Sequence, residues 1–311
     1  MTYCLEPGVW ERREEDDDPT GEPTETLVVR ECLDGACHQT ERETDAGARR
    51  LGLTFTDPST DEWAETRATD DGELVEIRGQ FDDGRIRATG RRVTSSGTAQ
   101  RYRQTLTVED DGSVAVVEEA AEANTDEDWS ISGRARYVRV DDAPSSPEPT
   151  AEPLETATAG TGSTTTGTAT LDSRRQFDFW VGEWDVSTVD GNPAGRNVIE
   201  SVLDGYLLVE HWESAGGGAG LSLNCYDAAA DEWLQTWVDS TGGCIETRGT
   251  FRDGAMRQSG VLVNGDGTRQ DYRGTWTPEA DGTVTQLLET SDDGGEAFDE
   301  WFHGTYVRST E

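Results

Sequence analysis

Short runs of alternating apolar and polar residues, each broken by turn residues, recur along this chain and predict strands. In the C-terminal half, Trp184-Asp-Val-Ser-Thr-Val stops at Asp190-Gly191, and Val198-Ile-Glu-Ser-Val-Leu stops at Asp204-Gly205. Further runs cover 206–212, 221–226, 232–239, 245–251, 256–263, 268–277, 283–290 and 298–308. Asp-Gly recurs at 190, 204, 253, 266 and 281, and each marks a candidate hairpin turn. That makes about ten strands at a spacing of roughly 10–12 residues, with no amphipathic helix. Consecutive hairpins favour an up-and-down antiparallel barrel; a two-sheet sandwich is the other arrangement open to them.

The N-terminal half repeats this pattern. Asp61-Glu62-Trp63-x-x-Thr66 followed by Arg78-Gly79-x-Phe81-x-Asp83-Gly84 returns 170 residues later as Asp231-Glu232-Trp233-x-x-Thr236 and Arg248-Gly249-x-Phe251-x-Asp253-Gly254. This is a tandem duplication. Between the copies, 141–171 turns rich in Pro, Thr and Gly and loses all aromatic residues, the composition of a flexible linker. The expected organisation is all-β: a barrel over 1–140, a linker over 141–171 and a second barrel over 172–311.

Composition narrows the class. Net charge is −38 and every basic residue is Arg. Acid spread along the whole chain fits a surface solvated in a high-salt cytoplasm, where a Debye length of about 3 Å makes self-repulsion tolerable. Nucleic acid and anionic membrane are poor partners for it. Absence of lysine excludes Schiff-base chemistry. No run of apolar residues is long enough for a spanning helix and the N-terminus carries no signal-peptide pattern, so a cytoplasmic location is expected. At the 170 offset, Cys32, Cys37, Cys225 and Cys244 face Val202, Leu207, Phe55 and Leu74. Apolar counterparts mark these cysteines as small buried hydrophobes rather than metal ligands, and no metal site is expected.

Each copy opens with G-x-W (Gly8-Val-Trp10, Gly182-Glu-Trp184) and closes with Y-V-R (Tyr137-Val-Arg139, Tyr306-Val-Arg308). The pair resembles the lipocalin/calycin pattern, which implies that a terminal Arg stacks on the first-strand Trp and closes one barrel end. Phe177-Asp-Phe-Trp-Val-Gly-Glu-Trp184, with Leu203-Asp-Gly205, Trp233, Trp237-Val-Asp-Ser240 and Gly304-Thr-Tyr-Val-Arg308, resembles a family of uncharacterised small bacterial proteins with calycin-like single barrels. That resemblance implies a fold and no particular reaction. The first copy departs from the opening motif, carrying Cys4-Leu-Glu-Pro-Gly-Val-Trp10 in its place.

The copies differ where function could lie. Trp212 faces Arg42, Trp237 faces Arg67, Trp276 faces Leu106, and through small gaps Trp180 faces Glu6 and Trp301 faces Ser132. Five indoles are therefore special to the second barrel. They either fill it or line a cavity for a small apolar or aromatic ligand, with Arg248 or Arg273 available to an acidic group on that ligand. A binding protein is the leading expectation. The alternatives are a barrel enzyme of isomerase or hydratase type using Glu210, Asp239 or His211, and a filled scaffold acting through its surface. No nucleophile motif is visible and no cofactor is expected; haem held through His303 in Trp301-Phe-His303 is the one alternative. The two barrels are free to pack on each other.

Overall fold

The computed structural model describes residues 4–13, 23–123, 128–141 and 173–310. Apart from Asp141, the expected linker lies outside the described residues. The chain forms two closed ten-stranded antiparallel barrels, so the all-β, two-barrel expectation holds. The N-terminal barrel contains β1 (Gly8–Arg13), β2 (Glu25–Cys32), β3 (Cys37–Thr44), β4 (Arg49–Asp57), β5 (Glu62–Thr69), β6 (Leu74–Asp82), β7 (Arg85–Val93), β8 (Ala99–Val108), β9 (Val114–Glu122) and β10 (Ser130–Asp141). The C-terminal barrel contains β11 (Gly182–Thr188), β12 (Pro193–Val202), β13 (Leu207–Ser214), β14 (Ala219–Asp227), β15 (Glu232–Asp239), β16 (Cys244–Arg252), β17 (Ala255–Val263), β18 (Arg269–Pro278), β19 (Val284–Ser291) and β20 (Asp299–Arg308). Each strand pairs with the next, and β1–β10 and β11–β20 close the circles.

Turn chemistry sets this meander. Asp253 and Gly254 both take positive φ, 51° and 78°, and join β16 to β17 in two residues, as a type I′ hairpin needs. Asp204-Gly205 behaves differently. Leu203 and Asp204 already sit at φ 51° and 56°, and the segment makes a short 3-10 turn; Leu33-Asp34-Gly35 repeats it in the first copy.

The Trp–Arg closure implied by the resemblance is present in the second barrel. The Arg308 guanidinium lies 4.0 Å over the Trp184 ring, and its Nη1 donates to the Val181 carbonyl at 2.7 Å. A Cβ at Gly182 would fall 1.7 Å from that Nη1, which explains the glycine of G-x-W. In the first barrel Arg139 pairs across from Trp10 and donates to the Pro7 carbonyl.

The barrels pack side against side. Leu51, Leu53, Cys37, Ala64, Ala68 and Leu74 point outward from β3–β6 into one apolar cluster with their counterparts Leu221, Leu223, Leu207, Leu234, Val238 and Cys244. β5 and β15 are consequently buried on both faces and lose the strict alternation of a half-exposed strand. Around this patch ion pairs cross in reciprocal fashion: Arg78 with Glu246, and Arg248 with Glu76, each pair being the other shifted by one repeat. The cysteines expected to be buried hydrophobes lie here, Cys37, Cys225 and Cys244 inside the cluster and Cys32 against it. No helix among the described residues is long and apolar enough to cross a membrane.

Candidate ligand cavity

The interior of the second barrel is filled at one end and open at the other. At the filled end, short 3-10 turns at Ser173–Arg175 and Asp178–Trp180 lie before β11 and bring Phe177 and Trp180 into the core. Phe177 stacks on Trp180 at 5.0 Å between ring centres, and Trp233 and Trp276 meet Phe177 edge-on at 5.6 Å. Beyond Trp276 the barrel opens into a cavity of about 330 Å³, within the range of small-molecule sites.

Trp212 (β13), Trp237 (β15), Trp276 (β18) and Trp301 (β20) line it. Three arrive by strand alternation. Trp301 does not: β20 skips a residue opposite β19, pairing Phe302 with Leu288 and Glu300 with Glu289, and the bulged Trp301 turns to the mouth, where it is 49% exposed. Its ring meets Tyr272 edge-on at 6.2 Å.

Room for these rings comes from glycines, Gly220 and Gly195 on the neighbouring strands and Gly274 two residues before Trp276 on its own strand. A Cβ at Gly220 would stand 2.5 Å from the Trp237 indole, one at Gly195 2.7 Å from that of Trp212, and one at Gly274 2.6 Å from that of Trp276. At the same offset the first copy has Arg50, Glu25 and Gln104. Ring and glycine were exchanged together, a coupling the sequence carries but that comparison of the tryptophans alone does not find.

The cavity wall also carries a polar cluster. Glu210 (β13) is buried; its Oε1 accepts from Asn197 Nδ2 at 2.8 Å and its Oε2 from Ser222 Oγ at 2.7 Å. Burial raises its pKa above the usual carboxylate range, and those two hydrogen bonds offset only part of the rise. Nearby, Tyr306 donates to Gln286 Oε1 at 2.7 Å. Burial likewise raises the Tyr272 and Tyr306 phenols, helped by the neighbouring Glu210.

Of the residues singled out from sequence, Trp212, Trp237, Trp276 and Trp301 share this cavity. Trp180 lies behind Trp276 in the filled end and does not line it. Arg248 and Arg273 are not brought to it either. Their strands turn Ile245 and Tyr272 inward, so an odd number of residues away each guanidinium points out. Arg248 there meets Asp227 and Glu76, and Arg273 meets Glu289. Among the three acid/base candidates only Glu210 borders the cavity. His211 faces outward to Glu200 at 3.4 Å. Asp239 holds its turn by accepting from the Thr241 and Gly243 amides. His303 lies outside with Glu300 at 3.2 Å, so haem ligated through it would not occupy this cavity.

The first barrel fills the same space with charge. Arg67 donates to Tyr102 Oη at 2.8 Å and to Glu65 at 3.0 Å, and pairs with Glu118 at 3.4 Å; Arg42 lies 3.7 Å from Glu65. Only about 30 Å³ is left.

No known family matches the sequence, and no curated protein does. A crystal structure described as a "putative outer membrane protein" from Bacteroides fragilis aligns over 97% of this chain and 95% of that chain, at 9% identity and a TM-score of 0.17. So low a score carries no argument about fold or role.

Proposed function

We propose that this chain is a small-molecule-binding protein whose C-terminal barrel holds one apolar or aromatic ligand among Trp212, Trp237, Trp276 and Trp301. The observation that carries the reading is the 330 Å³ cavity walled by four indoles, in a barrel whose twin lacks all four of these rings and keeps only about 30 Å³. The lipocalin-like Trp–Arg closure supports it, since it leaves the opposite end of the barrel free to admit a ligand. We place the protein in a high-salt cytoplasm on its charge, with no metal or other cofactor and no nucleic-acid partner. The first barrel serves as its packing partner.

Titration with N-phenyl-1-naphthylamine in molar salt tests this. Saturable quenching of tryptophan emission, weakened in Trp237→Ala, supports the site; no quenching favours a filled scaffold. A barrel isomerase is a second reading, favoured by the buried Glu210 carboxyl in the cavity wall. It requires a co-purifying ligand that leaves the protein chemically altered, and Glu210→Gln must stop the change.

A further inference from the structure

We infer that the ligand of this cavity is uncharged and presents a hydrogen-bond acceptor, of carbonyl type, to the Tyr272 and Glu210 side of the wall. This rests on the cavity being the ligand site. The first observation is the charge of the wall. Among the described residues no Arg or His lines the cavity, lysine is absent from the chain, and the one carboxyl group there is that of Glu210. The nearby guanidiniums of Arg248 and Arg273 are outside the barrel and already paired with carboxylates. A carboxylate or sulfonate inside would be desolvated next to a carboxyl group with no counter-charge, which disfavours an anionic ligand.

The second observation is Tyr272. Its side chain is 2% exposed and lines the cavity, yet its hydroxyl makes no hydrogen bond among the described residues. The twin barrel shows what is missing. There the equivalent Tyr102 receives Arg67 Nη2 at 2.8 Å. In the second barrel Trp237 replaces that arginine and takes the partner away. A hydroxyl that faces a cavity with no protein partner keeps its hydrogen-bonding capacity for water or a ligand. Gln286 adds a second donor, because its Oε1 is taken by Tyr306 and its amide NH₂ remains. Glu210 has both its oxygens occupied as acceptors, by Asn197 and Ser222. Gln235 leaves its Oε1 as a free acceptor, its NH₂ being turned to Glu210 and Ser222, while Tyr272 and Gln286 leave donors, and those donors fit an acceptor on the ligand.

Three probes of closely related shape test this on the full chain in molar salt. They are 2-acetylnaphthalene, 2-ethylnaphthalene, which lacks the carbonyl, and 2-naphthoate, which replaces the acetyl group with an anion. The expected order is acetyl tightest and naphthoate at least tenfold weaker. Tyr272→Phe should cost the acetyl compound roughly three- to tenfold and leave the ethyl compound unchanged. That variant removes a hydroxyl with no protein partner, so folding is retained. Equal binding of acetyl and ethyl compounds, or tight binding of naphthoate, overturns the inference while leaving the cavity as a ligand site. No binding of any of the three overturns both.

Discussion

Thr66 and Thr236 are one position of the repeat, 170 residues apart, and their hydroxyls are hydrogen-bonded to each other at 2.9 Å. A residue that touches its own counterpart lies on a two-fold axis. The two barrels are therefore arranged as an isologous dimer held in a single chain, with Arg78–Glu246 and Arg248–Glu76 as symmetry mates around the axis.

The cross-barrel pairs should contribute as partly buried ion pairs. Asp227 has a fully buried side chain and receives both Arg248 and, from the other barrel, Arg91. Asp227→Ala strips one acceptor from two guanidiniums and should lower unfolding stability by about 3 kcal/mol. Urea denaturation at fixed salt measures this.

The ionic filling of the first barrel should tolerate no half measures. Arg67→Ala removes the paired cation of Glu118 and leaves Glu65 only the more distant Arg42, and should cost about 3 kcal/mol. Arg42→Trp with Arg67→Trp should also fail, because Glu25 and Arg50 stand where the second barrel has the glycines that receive the rings. Adding Glu25→Gly and Arg50→Gly should recover part of the loss. Thermal melts of the double and quadruple variants decide it.

Gly220→Ala in the second barrel should act on the cavity through its wall. The new methyl meets the Trp237 indole and drives it inward or out of its rotamer. Overpacking of this kind costs about 1–3 kcal/mol, and naphthylamine affinity should fall with it. By contrast Trp301→Ala, at the exposed mouth, should weaken binding with little loss of stability.

Stability should fall on both sides of mid-range pH. Asp57 and Asp227 are held below the usual carboxylate range by hydrogen bonds and by arginines, against the effect of burial. Their contribution is present above about pH 4, the unfolded value, and is lost as pH falls through their lower folded values. Glu210 is raised instead. It stabilises fully below its unfolded value of about 4.3 and loses that contribution as pH rises through the folded one. Glu210→Gln should flatten this upper limb and leave the acid limb in place, as read from denaturation midpoints across pH.

Much of this fold can be read from the sequence because turn chemistry and strand alternation are local. Asp253-Gly254 fixes a hairpin by its own φ values, and the 170-residue repeat then carries the same pattern to Asp83-Gly84. The indoles of the cavity could be found by comparing the copies, since a ring gained against Arg42 or Arg67 leaves a visible difference. Arg248 and Arg273 could have been set outside by counting strand parity from Ile245 and Tyr272. Trp301 could not, because its inward turn depends on a bulge set by pairing with β19. Nor could Trp180 be separated from the cavity, as its place depends on how the segment before β11 folds into the barrel end. The outward faces of β5 and β15 look like ordinary core strands until the barrels are seen together.

Tethering two unlike copies through the face centred on Thr66 and Thr236 also sets the protein's dose response. A symmetric dimer of identical barrels offers two places, and occupancy of one can be felt by the other. Here each chain offers one place, so the expected binding curve is hyperbolic, with one equivalent at saturation and a Hill coefficient of about one.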